Sequence, residues 1–286
     1  MSEESALQGA PTIDRLCRLG GVSRAGFYRH LEVTMPGRAD ADLRDAIHRI
    51  ALDHKAYGYR RVTATLRRQG IAVNGKRVLR LMREDNLLCL RRAAFVPKTT
   101  DSRHGFRILP NLIRDLVPSG IDQIWVADIT YIRLQEAFVY LAIVLDAFSR
   151  LIVGWALEDH LRAELPLKAL DMAITTRKPP SRSLIHHSDR GVQYACGDYA
   201  AVLETHAIAA SMSGVGNPYD NAKAESFMKT LKHEEVDGKA WRTIQEARND
   251  IARFLETTYN RQRLHSALGY RPPVEFEAEL ANAHKS

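Results

Sequence analysis

The stretch Gln123–Leu134, QIWVADITYIRL, decides how this chain folds. It is built from β-branched and aromatic residues, the composition of a strand, with one aspartate, Asp128, in its midst. Two similar runs follow after short breaks, Ala137–Leu145 (AFVYLAIVL) and Leu151–Leu157 (LIVGWAL). The three are expected to form an antiparallel meander at the start of a sheet. Beyond them the period changes. Arg162–Arg177 reads as a helix, Ser183–His187 as a short strand, Tyr194–His206 as a helix and Ile208–Met212 as another short strand. Strands first, then strands alternating with helices, indicate a mixed-sheet α/β domain.

Asp128 is the anomaly in that sheet. A carboxylate between Val126 and Ile129 costs several kcal/mol, on the order of a buried polar group, unless something positive meets it. Asp189 closes the fourth strand in HHSDRG, beside a turn, where α/β sheets place reactive groups. Glu225 lies in GNPYDNAKAESFMKTLK, residues 216–232. At about 100° per residue, Ala224, Phe227, Met228 and Leu231 take one side of that helix. Asn221, Glu225, Lys229 and Lys232 take the other. Each acid has a plain alternative: a satisfied polar residue at 128, a surface turn at 189, an i,i+4 pair with Lys229 at 225. Three converging carboxylates would repel unless divalent cations neutralised them, and oxygen-only ligands suit Mg²⁺ or Mn²⁺ rather than zinc. Two such ions clamp the attacking and leaving oxygens of an in-line phosphoryl displacement.

Upstream the sequence is helical and basic. Residues 12–31 read as helix, turn, helix: Ile13, Leu16 and Leu19 form a stripe, Gly20-Gly21 breaks it, and Ser23 caps a second helix. In that second helix Phe27 and Leu31 pack inward while Arg24 and Arg29 are exposed. A second pair runs from Arg60 to Gln69 and from Gly75 to Asn86, with Val78, Leu79 and Met82 on the buried side. Residues 51–100 hold 12 Lys/Arg against 3 Asp/Glu, whereas the whole chain is only +7, so this block carries the basic character. That is the footprint of a polyanion-binding surface, with double-stranded DNA the leading partner and Arg60, Arg61, Lys76, Arg77 and Arg80 the candidate contacts. A solvated basic hairpin that binds nothing is the alternative. The expected organisation is a helix-turn-helix in 1–50, a basic helix-turn-helix in 51–95, a proline-containing linker in 96–119 and the α/β core with C-terminal helices in 120–280.

Composition removes other classes. Cys17, Cys89 and Cys196 are scattered and odd in number, so neither a disulfide framework nor a zinc knuckle is suggested. The polar, acidic N-terminus is unlike a signal peptide, and the longest apolar run, residues 137–145, is too short to span a bilayer. A cytoplasmic protein is the expectation. His186, His187, Trp125 and Trp155 are expected to pack in the sheet, with a catalytic role for His187 as the alternative. Tyr219 could stack on a splayed base. Arg261, Arg263 and His265 either touch DNA or solvate the last helix.

The motifs WVADITYI, HHSDRGVQYA, SGVGNPYDNAKAESFMKTLKHE and YNRQRLHSALGYRPPVEF, with YGYRRVTATLRRQGIAVNGKRVLRLMRE upstream, closely resemble bacterial insertion-sequence transposases with a retroviral-integrase-like core. The likeness is to the second-reading-frame product of two-frame elements. Sixty residues separate Asp128 from Asp189 and 35 separate Asp189 from Glu225, matching that family's D, D-35-E triad. The resemblance covers residues 12–276 and implies a ribonuclease-H-like core with a mixed five-stranded sheet. It implies Asp128, Asp189 and Glu225 as ligands of two Mg²⁺ (or Mn²⁺) ions. It places Lys232 against the terminal DNA; Lys229 on the same helix face, Asn221 and Arg190 are further candidate DNA contacts. It further implies cleavage at terminal inverted repeats, strand transfer into target DNA by the freed 3′-hydroxyl, a DNA-bound homo-oligomer of at least two copies, an upstream-frame partner, and residence on the bacterial nucleoid. The alternatives are a nuclease of the same fold with other specificity and a DNA-binding regulator with an inactive core.

Overall fold

The computed structural model describes residues 13–28, 38–88, 109–214 and 221–283. Arg29, Leu31, Cys89, the first part of the expected linker, Tyr219 and the other residues of 215–220 lie outside the described residues. The chain divides into two compact units, Met1–Cys89 and Leu90–Ser286.

The first unit is helical. Helices α1 (Ile13–Leu19) and α2 (residues 24–28) flank a tight turn in which Gly21 takes φ +64°, and the Ser23 hydroxyl caps α2 by accepting from Gly26 N at 3.0 Å. The anticipated stripe of α1 is not buried: Leu19 is 78% exposed, and Cys17 is the residue that packs. Helix α3 (Arg38–Asp53), which the sequence reading did not anticipate, packs against α4 (Tyr59–Arg68) and α5 (Gly75–Glu84). Leu43, Ala46, Ile47 and Ile50 of α3 recur at helical spacing and are buried, as are Val62 and Leu66 of α4 and Val78, Leu81 and Met82 of α5. Leu81 rather than Leu79 fills the core, because Leu79 falls one helical step off the buried stripe. The second helical assembly therefore begins at α3 rather than at residue 51. Between α4 and α5 Gly70 adopts φ +82°, and Asn74 caps α5 by accepting from Lys76 N at 2.8 Å.

The second unit carries the sheet. Strands β1 (Ile124–Arg133), β2 (Phe138–Asp146) and β3 (Ile152–Glu158) form the anticipated antiparallel meander. Helix α6 (Glu164–Arg177) then crosses to β4 (Ile185–Ser188), and α7 (Val192–Ala195) and α8 (Gly197–Thr205) lead to β5 (Ala209–Met212). Spatial order is β3-β2-β1-β4-β5, with β4 parallel to β1 and β5 parallel to β4. The first strand in sequence is therefore the middle strand of the sheet. Trp125, Ala127, Ala142 and Val144 point to α6 and α8. A Cβ on Gly154 would lie 2.1 Å from the Ala169 carbonyl, so only glycine admits α6 so close to β3. Ile124, Val126, Leu141 and Ile143 point the other way, onto α9 (Ala222–Leu231), α10 (Ile244–Arg253) and the π-helical turn Phe254–Gln262. A second π-helical turn, Lys232–Val236, continues α9, and α11 (Pro273–Ala283) ends the described chain.

Candidate active site

Alternation along β1 puts Asp128 on the face that carries Ile124 and Val126, the face α9 covers. Its β2 flank is paired, Asp128 opposite Ile143. Its β4 flank is not: the parallel ladder ends at Val126–His187. Two residues further along both strands, Asp128 and Asp189 stand in step beyond the end of that ladder. Asp189 is held by its own turn, its Oδ1 accepting from Gly191 N at 2.9 Å. Helix α9 buries Ala224, Phe227, Met228 and Leu231, as its periodicity predicts, which leaves Glu225 half-exposed on the other side.

Electrostatics ties the three together. The Asp128 carboxyl is raised to about 7, first by burial, then by the charge of Asp189 and further by Glu225. The Ile129 amide, which donates to Asp128 Oδ1 at 2.9 Å, and the Lys232 ammonium oppose that rise. Lys232 lies over the Tyr131 ring, 4.8 Å from its centroid, and is lowered by burial while Asp128 and Asp237 pull it upward. The donor set is all oxygen and mutually repulsive, which fits a hard divalent cation. Among the described residues the cluster whose ligand atoms all lie within 4.8 Å is instead Glu158, Asp159 and His160, so the triad is the more open of the two. There Glu158 is already paired with the Lys168 ammonium, 2.6 Å from its Oε1.

The other anticipated residues divide. Lys229 is exposed on α9, and among the described residues no ion pair joins it to Glu225, so the plain helix-pair reading fails. Asn221 is not a surface residue: it is 6% exposed, and its Nδ2 donates to the Ala127 carbonyl at 3.0 Å. Arg190 is half-buried, and its Nε donates to the Ser213 carbonyl at 2.6 Å. In the helical unit Lys76 is exposed, while Arg77 and Arg80 pair with Asp40 of α3, and Arg80 also with Glu84. Arg60 and Arg61 lie beside the rings of Tyr59 and Tyr57.

The histidines pack, as expected. His187 meets the Ser211 and Ser213 hydroxyls at 2.8 and 3.0 Å, and His186 meets the Tyr199 hydroxyl at 2.9 Å. Burial, and then His187, lower His186 to about 3, so it stays neutral. Trp125 is fully buried, whereas Trp155 is half-buried with its Nε1 on Glu256. Arg263 is buried and forms a two-point bond with Glu234, both contacts 2.8 Å. A basic residue following a Tyr-Asn-Arg run gave no sequence signal for that burial.

With this geometry in place the comparisons are specific. A family model described as an integrase core domain matches residues 118–218, and a second of the same description matches 206–273. A model described as an HTH-like domain matches residues 38–95, beginning where α3 begins. The class is thus an integrase-core enzyme with a helix-turn-helix unit ahead of the core. The insertion element IS600 uncharacterized 31 kDa protein of Shigella sonnei is 39% identical over 266 residues, 91% of this chain and 97% of that one. Transposase InsF for insertion sequence IS3A of Escherichia coli (strain K12) is 36% identical over 272 residues, 93% of this chain and 94% of that one. The magnesium-bound catalytic core of HTLV-2 integrase overlays loosely, with a TM-score of 0.41 and 16% identity over 55% of this chain and 97% of that one. By its likeness to the sequence relatives the chain belongs to the insertion-sequence transposases.

Proposed function

We propose that this transposase cuts DNA at the terminal inverted repeats of its element and joins the freed ends to target DNA. In this reading Asp128, Asp189 and Glu225 hold two divalent cations, Mg²⁺ or Mn²⁺. The cations, when bound, lower the pKa of the attacking hydroxyl and stabilise the departing oxygen. The observation that carries the reading is the placement of Asp128 on β1 and Asp189 just past β4, in step beyond the last parallel pair Val126–His187, with Glu225 of α9 near enough that both charges, after burial, raise the Asp128 carboxyl. A cation would be held by its attraction to the three carboxylates, and it would offset both the burial of Asp128 and the repulsion among them.

The protein's own groups do the rest. Asp128 on the central strand is the fixed member, and Asp189 and Glu225 come to it from a turn and a helix. Lys229 and Lys232, one and two turns beyond Glu225, meet the phosphates flanking the scissile bond. No serine or tyrosine nucleophile is required, because water or a DNA hydroxyl attacks. The helical unit, through Arg60, Arg61 and Lys76, grips the duplex backbone. Pairing two element ends calls for at least two copies on DNA, and an upstream-frame protein is a candidate partner. Work on DNA places the chain on the bacterial nucleoid, and among the described residues no helix is long and apolar enough to cross a membrane.

The test is strand cleavage of labelled terminal-repeat DNA by the purified chain in Mg²⁺. Cleavage is expected to fall by about 10²–10³-fold, of order the loss of a principal transition-state contact, in Asp189→Asn. Undiminished cleavage by that variant refutes the assigned roles. Degradation of RNA–DNA hybrid without preference for the repeats would favour a nuclease, and binding without cleavage in either metal a regulator.

A further inference from the structure

Asn221 stands at the N-cap of α9 and is buried. An asparagine there ordinarily turns its side-chain oxygen onto a free amide of the first turn. This one makes no such bond. Its Nδ2 reaches across 94 residues of sequence to the Ala127 carbonyl, and its own main-chain oxygen accepts from Glu225 N at 3.0 Å. One residue is thereby bonded to the neighbour of Asp128 and to Glu225 itself. The diversion leaves Asn221 Oδ1 buried with no hydrogen-bond partner among the described residues. A buried acceptor in that state is costly, and native structures keep few of them.

We propose that Asn221 is a positioning residue of the carboxylate site: its Nδ2 fixes α9, and with it Glu225, against β1 at Asp128, and its Oδ1 accepts a hydrogen bond from a water carried by the divalent cation those carboxylates hold. The inference rests on the reading of the site given above. A cation polarises the O–H bonds of its waters and makes them strong donors, and such waters need acceptors that are not themselves ligands. A neutral amide oxygen meets that need without a fourth negative charge beside Asp128, Asp189 and Glu225. It also explains why the side chain forgoes the cap: a capping bond would turn Oδ1 to the helix and take Nδ2 from the strand.

Mn²⁺ alone, titrated calorimetrically into the full-length chain, provides the test, with thermal unfolding in EDTA recorded alongside. Asn221→Ala is expected to weaken Mn²⁺ binding about 10–100-fold, the range for loss of an outer-shell partner. Asn221→Ser, which keeps a short donor and acceptor, is expected to fall between it and the wild type. A lowered unfolding temperature with wild-type Mn²⁺ affinity in Asn221→Ala overturns the inference and leaves a purely structural latch. Where the alanine variant does not fold, Asn221→Ser decides, and wild-type affinity in it is the overturning result. Asp189→Asn, run in parallel, separates the two levels. If it loses Mn²⁺ while Asn221→Ala keeps it, only the role of Asn221 fails; if it too binds as wild type, the carboxylate site itself fails.

Discussion

Replacing Asp128 by asparagine should stabilise the metal-free protein while removing its response to metal. The carboxyl stands at about 7 in the folded chain against 3.8 for a free aspartate. Each tenfold change in proton affinity is worth about 1.4 kcal/mol, so ionised Asp128 opposes folding by about 4 kcal/mol. Its half-exposed edge lets water screen part of that, leaving roughly 2–4 kcal/mol. The sign follows from the direction. Below pH 3.8 both states are protonated and nothing is lost. Between 3.8 and 7 the unfolded chain releases a proton that the folded chain keeps, so stability falls as pH rises. Above 7 the loss is complete. Calorimetric unfolding in EDTA at pH 8 should therefore place Asp128→Asn above the wild type by roughly 5–15 °C, at about 2–4 °C per kcal/mol for a unit of this size. At pH 4.5 the gap should shrink to a few degrees. Mg²⁺ should raise the wild type and leave the variant unmoved. A variant no more stable than the wild type at pH 8 in EDTA refutes the account of Asp128 as a repelled, desolvated acid.

Three further outcomes are expected. Arg263→Ala strands Glu234 in a buried position and should cost about 3–5 kcal/mol in urea unfolding of the core, because a broken buried pair leaves an uncompensated charge. Gly154→Ala forces α6 off β3 at the Ala169 carbonyl and should cost about 1–3 kcal/mol or more, read as a lower melting temperature with an altered near-ultraviolet spectrum. Lys76→Ala should weaken duplex binding evenly across sequences and lower the slope of log affinity against log salt by about one, since it removes a single phosphate contact.

What the sequence disclosed was local and periodic. β1, β2 and β3 announce themselves by composition, α9 by its stripe of Ala224, Phe227, Met228 and Leu231, and the mixed sheet by strand order. Asp128 was conspicuous because an acid among strand formers needs a reason. Groups whose role depends on a distant partner were not legible. Asn221 and Arg190 read as surface polar residues until Ala127 and Ser213 are placed beside them. Arg263 needs Glu234, 29 residues away, to become a core ion pair. Arg77 and Arg80 read as free cations because α3, which supplies Asp40, has an acidic and unremarkable surface text. The π-helical turns have no sequence signature of their own, since an extra residue per turn is a matter of how the core is filled.

The Ile129 amide donates to the carboxylate of the residue just before it. That short tether makes the backbone nitrogen a built-in spectroscopic probe: its chemical shift and its exchange with deuterium respond to whatever the neighbouring oxygen is bound to. Protonation, cation capture and the arrival of a DNA end can thus each be followed in one resonance of an otherwise large molecule, with no label placed at the centre of the chemistry.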